Sequence, residues 1–413
     1  MPRILVGDLK TGRRILNLPV KGGSFSRKIM TADSISVSVN MLDRDAQKLN
    51  LRNAAAAAKS FLAVVEDDVI LAAGPIWGHS YSRKDFTLQL DARGIMSMFD
   101  HRLILPAIAA NYDVTKWTIP DPSDNSRTIA NPALASTYSG VSLGTIAKRL
   151  VEQAMAWTGG ALPIVLPAEE ADGNPDHTRT YNAVDFKPVK EALTQLQGVV
   201  GGPEIDFFPR FTADKLGIEW VMRVGTVAQP LLTSPSVPRW GVTAAASPVT
   251  DFAVDSDASG MGSVSWGQGG RQNDRVLISR ASNTALTDAG YPLMEILDTS
   301  HTSVSVQSTL DGYTAQNLRD GQRPIEAWSF SVRAHPVDRY GNVAGPQLGS
   351  YNVGDFCELT FAAFDPGDDV TGRPMAGDPY LTAKQTFRRR IVSLGGTIGK
   401  ESIKIQCAPE VAA

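Results

Sequence analysis

Apolar and polar residues alternate with a period of two near both ends of the chain. Close to the N-terminus, four apolar residues are separated by small polar ones: Ile35, Val37, Val39 and Met41. The same period returns in the C-terminal part, at Trp328, Phe330 and Val332 and then at Cys357, Leu359 and Phe361. This pattern is typical of strands that bury one face and leave the other polar. It predicts that the chain begins and ends in β-structure.

The N-terminal region shows two further strand pairs. Apolar runs at 61–65 and 69–73 flank an acidic turn, and a second alternating pair spans 76–91, so each predicts a hairpin. The alanine run 54–58 is compatible with either a helical turn or a loop. We therefore predict a β-barrel tube domain over residues 1–105.

The middle of the chain changes character twice. Residues 106–140 are dense in Pro, Asp, Asn, Ser and Thr, which predicts a loop or linker. The apolar period then becomes 3.6, with Ser142 as the N-cap of one helix and Pro188 in the first turn of another. An alternating strand follows at 218–224, so residues 141–225 are predicted to form an α+β domain.

The remaining residues are predicted to be mostly β. Short strands separated by Gly, Asn and Asp indicate a β-rich segment over 226–320 that ends in a short helix, and residues 321–413 are predicted to form a second barrel-like domain. The strand after Lys400-Glu401 weakly echoes the strand after Lys84-Asp85, either by chance or because the terminal domains are related. The fold class predicted is mainly β, multidomain, with a smaller α+β module.

The amino-acid composition excludes several classes of protein. The chain has 413 residues, of which 43% are hydrophobic and 20% charged, as in globular proteins of several domains. With 40 basic and 43 acidic residues there is no overall field to hold nucleic acid. No apolar run approaches the roughly 18 residues of a membrane helix, and the apolar N-terminal stretch is too brief for a secretory signal. We expect no membrane span and synthesis in the cytoplasm.

Motifs for catalysis or metal binding are weak. The two cysteines, Cys357 and Cys407, lack metal-ligand spacing and are expected to be buried thiols. The glycines at 260–270 and the serines near them match neither a phosphate loop nor a nucleophile elbow. Asp176-His177 is the one candidate hydrolytic pair, on a poorly supported loop. We expect no enzyme activity, no cofactor and no metal.

Three groups of residues, one acidic, one basic and one aromatic, each have a structural and a functional interpretation. The aspartates at 365, 368, 369 and 378 are interpreted as an acidic turn, since calcium-loop spacing is missing. In the run at 388–390, successive arginines should point to opposite faces of a strand, so at most two of them would face one partner. Three aromatic residues, Tyr112, Trp117 and Tyr138, lie in or near the first linker. They are expected to pack within the loop, or else to form an interface or receptor-binding loop.

Short motifs also occur in a characteristic order along the chain. They are Gly23-Ser24-Phe25-Ser26-Arg27 before the first alternating strand, Pro188-Val189 with Glu191-Ala192-Leu193, Gly201-Gly202-Pro203-Glu204-Ile205-Asp206-Phe207, Tyr291-Pro292-Leu293, Arg323-Pro324 and Val353-Gly354-Asp355. In this order they resemble the tail-hub (minor tail, or tail-associated) proteins of long-tailed actinobacteriophages. The resemblance covers most of the chain, but residues 111–140 and 225–250 carry no match.

The resemblance implies a structural hub at the phage tail tip. Such hubs have two related β-barrel tube domains and assemble as homotrimers, whose six barrels continue the tail tube and let DNA pass without holding it. The implied partners are further copies of the chain, the distal tail protein, the tape-measure protein, and fibre or other tip proteins. The implied location is the virion, after synthesis in the host cytoplasm. The alternatives are a virion-associated cell-wall hydrolase and a carbohydrate- or receptor-binding tail protein.

Overall fold

The computed structural model describes residues 2–106, 114–174, 177–199, 201–244, 247–272, 275–301, 304, 306–368 and 373–409. Strands account for 44% and helices for 17% of the protein, distributed over several sheets. The prediction of a mainly-β, multidomain fold is confirmed.

The N-terminal β-unit contains seven strands and two short helices. The strands are β1 Arg3–Asp8, β2 Arg14–Leu18, β3 Gly22–Lys28, β4 Ser34–Asn40, β5 Ser60–Glu66, β6 Val69–Ser82 and β7 Thr87–Arg93, and the helices are α1 Arg44–Lys48 and α2 Leu51–Ala54. Ile35, Val37 and Val39 are buried, as the alternation in β4 predicts. The alanine run starts at the last residue of α2 and then leaves the helix.

The second domain is α+β. Its elements are β8 Thr118–Asp121, β9 Asp124–Ala130, β10 Ala135–Tyr138, α3 Leu143–Met155, β11 Ile164–Val165, β12 Arg179–Asn182, α4 Val189–Gln197, β13 Ile205–Phe211 and β14 Ile218–Val224. Ser142 caps α3 by accepting a hydrogen bond from the amide of Thr145, and Pro188 precedes α4. The segment predicted as a linker contains β8, β9 and β10. Its turn-forming residues break these strands up without preventing them.

The rest of the chain contains a small inserted domain and the C-terminal β-unit. The elements are β15 Arg239–Gly241, β16 Val249–Asp257, β17 Val264–Gln272, β18 Arg275–Ser282, α5 Ala285–Asp288, β19 Glu295–Asp298, α6 Gln307–Asp320, β20 Ile325–Arg333, β21 Phe356–Phe361, β22 Gln385–Ile398 and β23 Ser402–Pro409. Strands β17 to β19 form a separate sheet against α6. Strands β15 and β16 pair with strands of the predicted last domain, so the C-terminal β-unit comprises β15, β16 and β20 to β23.

One sheet of thirteen strands joins the two β-units. Its path is β16-β20-β23-β22-β3-β4-β7-β6-β5-β1-β2, with β21 on β22 and β15 on β21. The joint is the antiparallel pairing of β3 with the second half of β22, where Phe25 lies opposite Gly396. An added Cβ at Gly396 would be 2.9 Å from the Phe25 ring. Glycine at this position therefore lets the ring cover the joint.

The two β-units share one strand order. It is β3-β4-β7-β6-β5-β1 in the first and β16-β20-β23-β22-β21-β15 in the second. The long strands β6 and β22 each have 14 residues and a bulge directly after Ile76 and Ile391 respectively. One pairing differs, because β1 and β5 are antiparallel whereas β15 and β21 are parallel. The two segments of the sequence echo, which begin at Lys84 and Lys400, lead into the equivalent strands β7 and β23.

Two apolar cores hold these parts together. One core runs through both β-units and includes Val37 and Phe330. The other lies between the N-terminal β-unit and the second domain, where the rings of Phe61 and Trp220 meet edge to face at 5.6 Å. The indole nitrogen of Trp220 also donates to the carbonyl of Ala73 at 3.2 Å. The second domain is therefore packed firmly against the first β-unit.

Candidate functional site

The eight strands β16-β20-β23-β22-β3-β4-β7-β6 have one apolar and one polar face. Residues directly opposite each other in an antiparallel pair point to the same face. The registers therefore define cross-strand rows on the polar side, of which one reads Ser331, Lys404, Gly395, Ser26, Ser34 and Arg93. We call this side of the eight strands the polar face and treat it as the candidate functional surface.

Small side chains dominate the polar face. Its serines are Ser24, Ser26, Ser34, Ser36, Ser38, Ser80, Ser82, Ser329, Ser331, Ser393 and Ser402. Ser36 donates to Asp91 at 2.7 Å and accepts from Gln89 at 2.6 Å. Serine side chains are short, and those that hydrogen-bond to neighbouring side chains of the sheet extend only a little above its surface. The polar face is thus a smooth, hydrophilic surface.

The charges on the polar face are mixed in sign. Outside the first half of β22, four basic residues stand against three acidic ones: Lys28, Arg93, Arg333 and Lys404 against Asp91, Asp255 and Asp257. Arg388 and Arg390, on the first half of β22, point to the same side, and Arg390 is paired with Glu204. Affinity for a duplex comes mainly from cations that neutralise phosphates and release counterions. A face with this balance is suited to contact a polyanion weakly.

A set of buried ion pairs fixes the joint between the β-units to the second domain. Asp206 of β13 accepts hydrogen bonds from Arg27 of β3 at 3.0 Å and from Arg223 of β14 at 2.7 Å. Glu204, next to β13, binds Arg390 of β22 through both carboxylate oxygens, one at 2.6 Å. These five residues form what we call the junction clamp. It holds β3 and β22, the two strands of the joint, from the same edge of the second domain.

The clamp lies in a strongly desolvated environment. Burial alone would raise the pKa of Asp206, but the attraction and hydrogen bonds of Arg27 and Arg223 outweigh it and lower the pKa. Nearby, burial raises the pKa of Asp33 to about 8, against the attraction of Arg27. The guanidinium of Arg27 also lies 4.6 Å from the ring centroid of Phe208. Asp206 is therefore ionised at neutral pH, whereas Asp33 is mostly protonated.

The three predicted aromatic residues have different positions. Tyr112 lies outside the described residues. Trp117 is buried, with its ring 4.9 Å from that of Phe186, and Tyr138 donates a hydrogen bond to Gln153 at 2.6 Å. The structure therefore gives Trp117 and Tyr138 packing partners inside the second domain. Their part in an interface or in receptor binding stays a prediction.

The arginine run has partners within the chain. Arg388 lies over Phe356 at 4.5 Å, Arg389 lies over Trp328 at 4.1 Å, and Arg390 belongs to the junction clamp. Neighbouring arginines reach different partners, as the alternation of a strand requires. The run therefore contributes to packing rather than forming a basic patch.

The other candidate groups are the two cysteines, the loop pair Asp176-His177 and the C-terminal aspartates. Cys357 and Cys407 are buried and unbridged, with their sulfurs 3.7 Å apart, which confirms the predicted buried thiols. Asp176 and Asp369 lie outside the described residues, and His177 contacts Asp172. Among the residues that the structure describes, no group of three His, Cys, Asp or Glu side chains could hold a metal ion. In that same part of the chain, no helix has the length and apolarity to cross a membrane.

Sequence reasoning did not single out the clamp. Arg27, Glu204 and Asp206 fall within the motifs that carry the family resemblance, but their charges were not paired with one another. The usable signal is a single charge at an inward position of an otherwise apolar strand, as with Asp206 between Ile205 and Phe207. Such a charge predicts a buried partner without identifying it.

Comparison with known proteins shows similarity in fold only. No family model and no curated protein matches the sequence. Among solved structures, the tail protein from Neisseria meningitidis MC58 has a TM-score of 0.50 at 12% identity, over 99% of this chain and 97% of that one. The prophage MuSo2 43 kDa tail protein from Shewanella oneidensis has a TM-score of 0.49 at 9% identity, over 99% and 98%. This chain therefore has the fold of the Neisseria tail protein along almost its whole length.

Proposed function

We propose that the protein is a structural component of a bacteriophage tail tip, a hub whose copies form a ring that closes or continues the tail tube. The observation that carries this proposal is the presence of two related β-units in one chain, joined into a single sheet. A trimer, as the family resemblance implies, would present six similar units to a sixfold tube. The fold shared with a tail protein supports this assignment.

The polar face supports a role as a passive duct for DNA. A channel wall must be wetted without retaining its cargo, and cations along the wall would retain a duplex that carries one phosphate per about 1.7 Å. Serines and charges of both signs meet these requirements better than a uniformly basic wall would. We further propose a non-enzymatic role in the virion, with the distal tail protein, the tape-measure protein and fibre or other tip proteins as partners.

Two measurements test the proposal. Light scattering of the purified protein should give the mass of three copies, and labelling or reconstruction of particles should place the protein at the tail tip. A protein that stays monomeric at high concentration and is absent from the tail tip contradicts the proposal. Clearing of peptidoglycan in a zymogram, abolished by His177→Ala, would instead establish the hydrolase alternative.

A further inference from the structure

The bulge in β6 carries a tryptophan that the second β-unit lacks. Trp77 is the bulge residue, between Ile76 and Gly78, whereas the residue at the same place in β22 is Val392. Two strands that share their length and the position of their bulge thus differ here in a large aromatic side chain. The common fold does not require the indole, because the second unit forms the same bulge without it.

The charged residues beside Trp77 on the polar face are also specific to the first β-unit. Aligning the two bulges makes Asp91 of β7 the equivalent of Gln406 of β23, and Arg93 the equivalent of Ala408. A tryptophan, a carboxylate and a guanidinium therefore occur together in one unit and are all missing from the other. Such a difference within a repeat points to a contact that is made once per copy.

These side chains line one groove on the polar face, which we call the Trp77 groove. Its volume is about 410 Å³. Its polar and aromatic lining residues are Ser24, Ser34, Ser36, Trp77, Asp91 and Arg93. A groove with an aromatic surface and a few polar groups can fix both the position and the orientation of a bound group.

The indole of Trp77 is held in one orientation. Its nitrogen donates a hydrogen bond to the hydroxyl of Ser97 at 2.8 Å, and Ser97 donates in turn to the carbonyl of Gly94 at 2.7 Å. The ring centroids of Trp77 and His101 are 4.7 Å apart. A ring that is already oriented loses little conformational entropy when a second ring stacks on it, which favours binding.

The two charged groups of the groove differ in their availability to a ligand. The carboxylate of Asp91 accepts a hydrogen bond from Ser36 at 2.7 Å. Arg93 is exposed opposite Ser34, and it has no ion-pair partner within the described part of the chain. The groove therefore offers an aromatic surface and a free cation, which suits a ligand that carries a planar ring and an anionic group.

We propose that the Trp77 groove binds an extended protein segment that occupies the channel before DNA passes, with an aromatic side chain of the segment on Trp77 and an acidic one on Arg93. The inference deepens the proposed function and rests on it, because the polar face lines a channel only in the ring. In a trimer the groove would occur three times among six β-units. The occupant would then contact each copy of the hub once.

Double-stranded DNA fits the groove less well than a protein segment does. A duplex presents phosphates along its whole length, so a contact with DNA would use equivalent cations in both β-units, whereas Arg93 corresponds to Ala408. Stacking on an aromatic side chain requires an unstacked base, as in single strands. Passing DNA therefore explains neither the indole nor the guanidinium.

Photo-cross-linking in assembled particles tests the proposal on the full-length chain. The photoreactive residue p-benzoyl-phenylalanine replaces Ser34, which is exposed and lines the groove. The matched control places it at Ala327, the equivalent and likewise exposed position on β20. Irradiation of full particles should link position 34 to a second protein, at a peptide that contains an aromatic and an acidic residue. This adduct should be absent after DNA release, and the control should not form it in either state.

Variants of the groove show whether the adduct depends on the proposed contacts. Arg93→Gln removes an exposed charge and should lower the yield of adduct about tenfold, as expected for the loss of one charge-assisted hydrogen bond. Lys28→Gln removes a charge elsewhere on the polar face and should leave the yield unchanged. Trp77→Phe keeps a ring and should retain most of the adduct, whereas Trp77→Ala should lose it. Circular dichroism should show that the purified variants are folded.

The outcomes separate the inference from the function on which it rests. If the protein lies at the tail tip, but position 34 links to DNA, to another copy of this chain, or no better than position 327, the inference is wrong and the hub remains. The same conclusion follows if Arg93→Gln and Lys28→Gln give equal yields, or if the adduct persists after DNA release. If the protein stays monomeric and is absent from the tail tip, both the inference and the proposed function are overturned.

Discussion

Arg27 and Asp206 form an ion pair at 3.0 Å, with only 3% and 7% of their side chains exposed, between the first β-unit and the second domain. Arg27 belongs to β3, which is also the strand that joins the two β-units. The second domain is therefore held at the strand on which the continuity of the polar face depends. Loss of this pair should affect the whole protein and not the second domain alone.

Replacement of the clamp carboxylate should be costly. We expect Asp206→Ala to lower the free energy of unfolding by about 3–5 kcal/mol, because Arg27 would keep its charge in a buried environment without a partner. Urea unfolding followed by tryptophan fluorescence measures this. Asp45→Ala removes an exposed pair with Lys48 and should leave the curve nearly unchanged. Similar curves for the two variants would show that the clamp is not what stabilises the joint.

The buried carboxyl of Asp33 should make stability depend on pH. Its pKa is raised to about 8 in the folded protein, against about 3.9 when unfolded. The folded state thus holds the proton more tightly, so the contribution of Asp33 to stability is complete below about pH 4 and is lost as the pH rises to about 8. Relative to wild type, the free energy of unfolding of Asp33→Asn should be higher by on the order of a few kcal/mol at pH 8 and should differ little at pH 4. A difference that is constant across this range would contradict the raised pKa.

Glycine at position 396 should be required by the internal joint. Gly396→Ala places a methyl group 2.9 Å from the Phe25 ring, and we expect a loss of about 1–3 kcal/mol from overpacking. Gly22→Ala is the matched control on β3, because nothing lies within 4 Å of its added Cβ. For Gly396→Ala, the midpoint temperature of thermal unfolding should be well below those of the control and wild type. Equal midpoints would mean that the ring and strand adjust freely.

The two native cysteines should be unreactive. A hydrogen bond with Cys357 and burial raise the pKa of Cys407, and the neighbouring thiol is fully buried. The thiolate is the reactive form, so neither sulfur should react with a maleimide until the protein is unfolded, after which both should. Tyr81→Cys places a thiol at a position that is 52% exposed, and it should react at once in the native protein. Labelling of native Cys357 or Cys407 at a comparable rate would show that this part of the core opens.

Trp117 should matter first for folding. Because its ring is buried against Phe186, we expect Trp117→Ala to cost about 3–5 kcal/mol of stability. Trp117→Phe keeps an aromatic ring and should cost less, with particle adsorption unchanged. Reduced adsorption by Trp117→Phe, without reduced assembly or stability, would instead support a receptor-binding loop.

The pattern of apolar residues predicted the helices and strands well in those segments where a single period, of 2 or 3.6 residues, dominates. The alternation around Val37 and Phe330 indicated which face of each strand is buried, and Ser142 indicated where a helix begins. The sequence contains both signals because they involve residues only a few positions apart. The linker prediction at 106–140 missed short strands. Turn-forming residues limit the length of a strand, but pairing with a distant segment can still stabilise it, as with Tyr138 of β10 opposite Arg179 of β12.

The sequence by itself determined the β-rich ends, the helical middle, the near-neutral charge and the order of motifs that resembles tail hubs, because each is a property of neighbouring residues or of composition. Only the tertiary structure decided that Phe25 meets Gly396, that β16 joins the C-terminal strands, and that Arg27 and Arg390 share one clamp. Alternation specifies which face of a strand is buried but not which strand lies beside it. That choice is made by register, bulges and buried charges that meet across nearly the whole length of the chain.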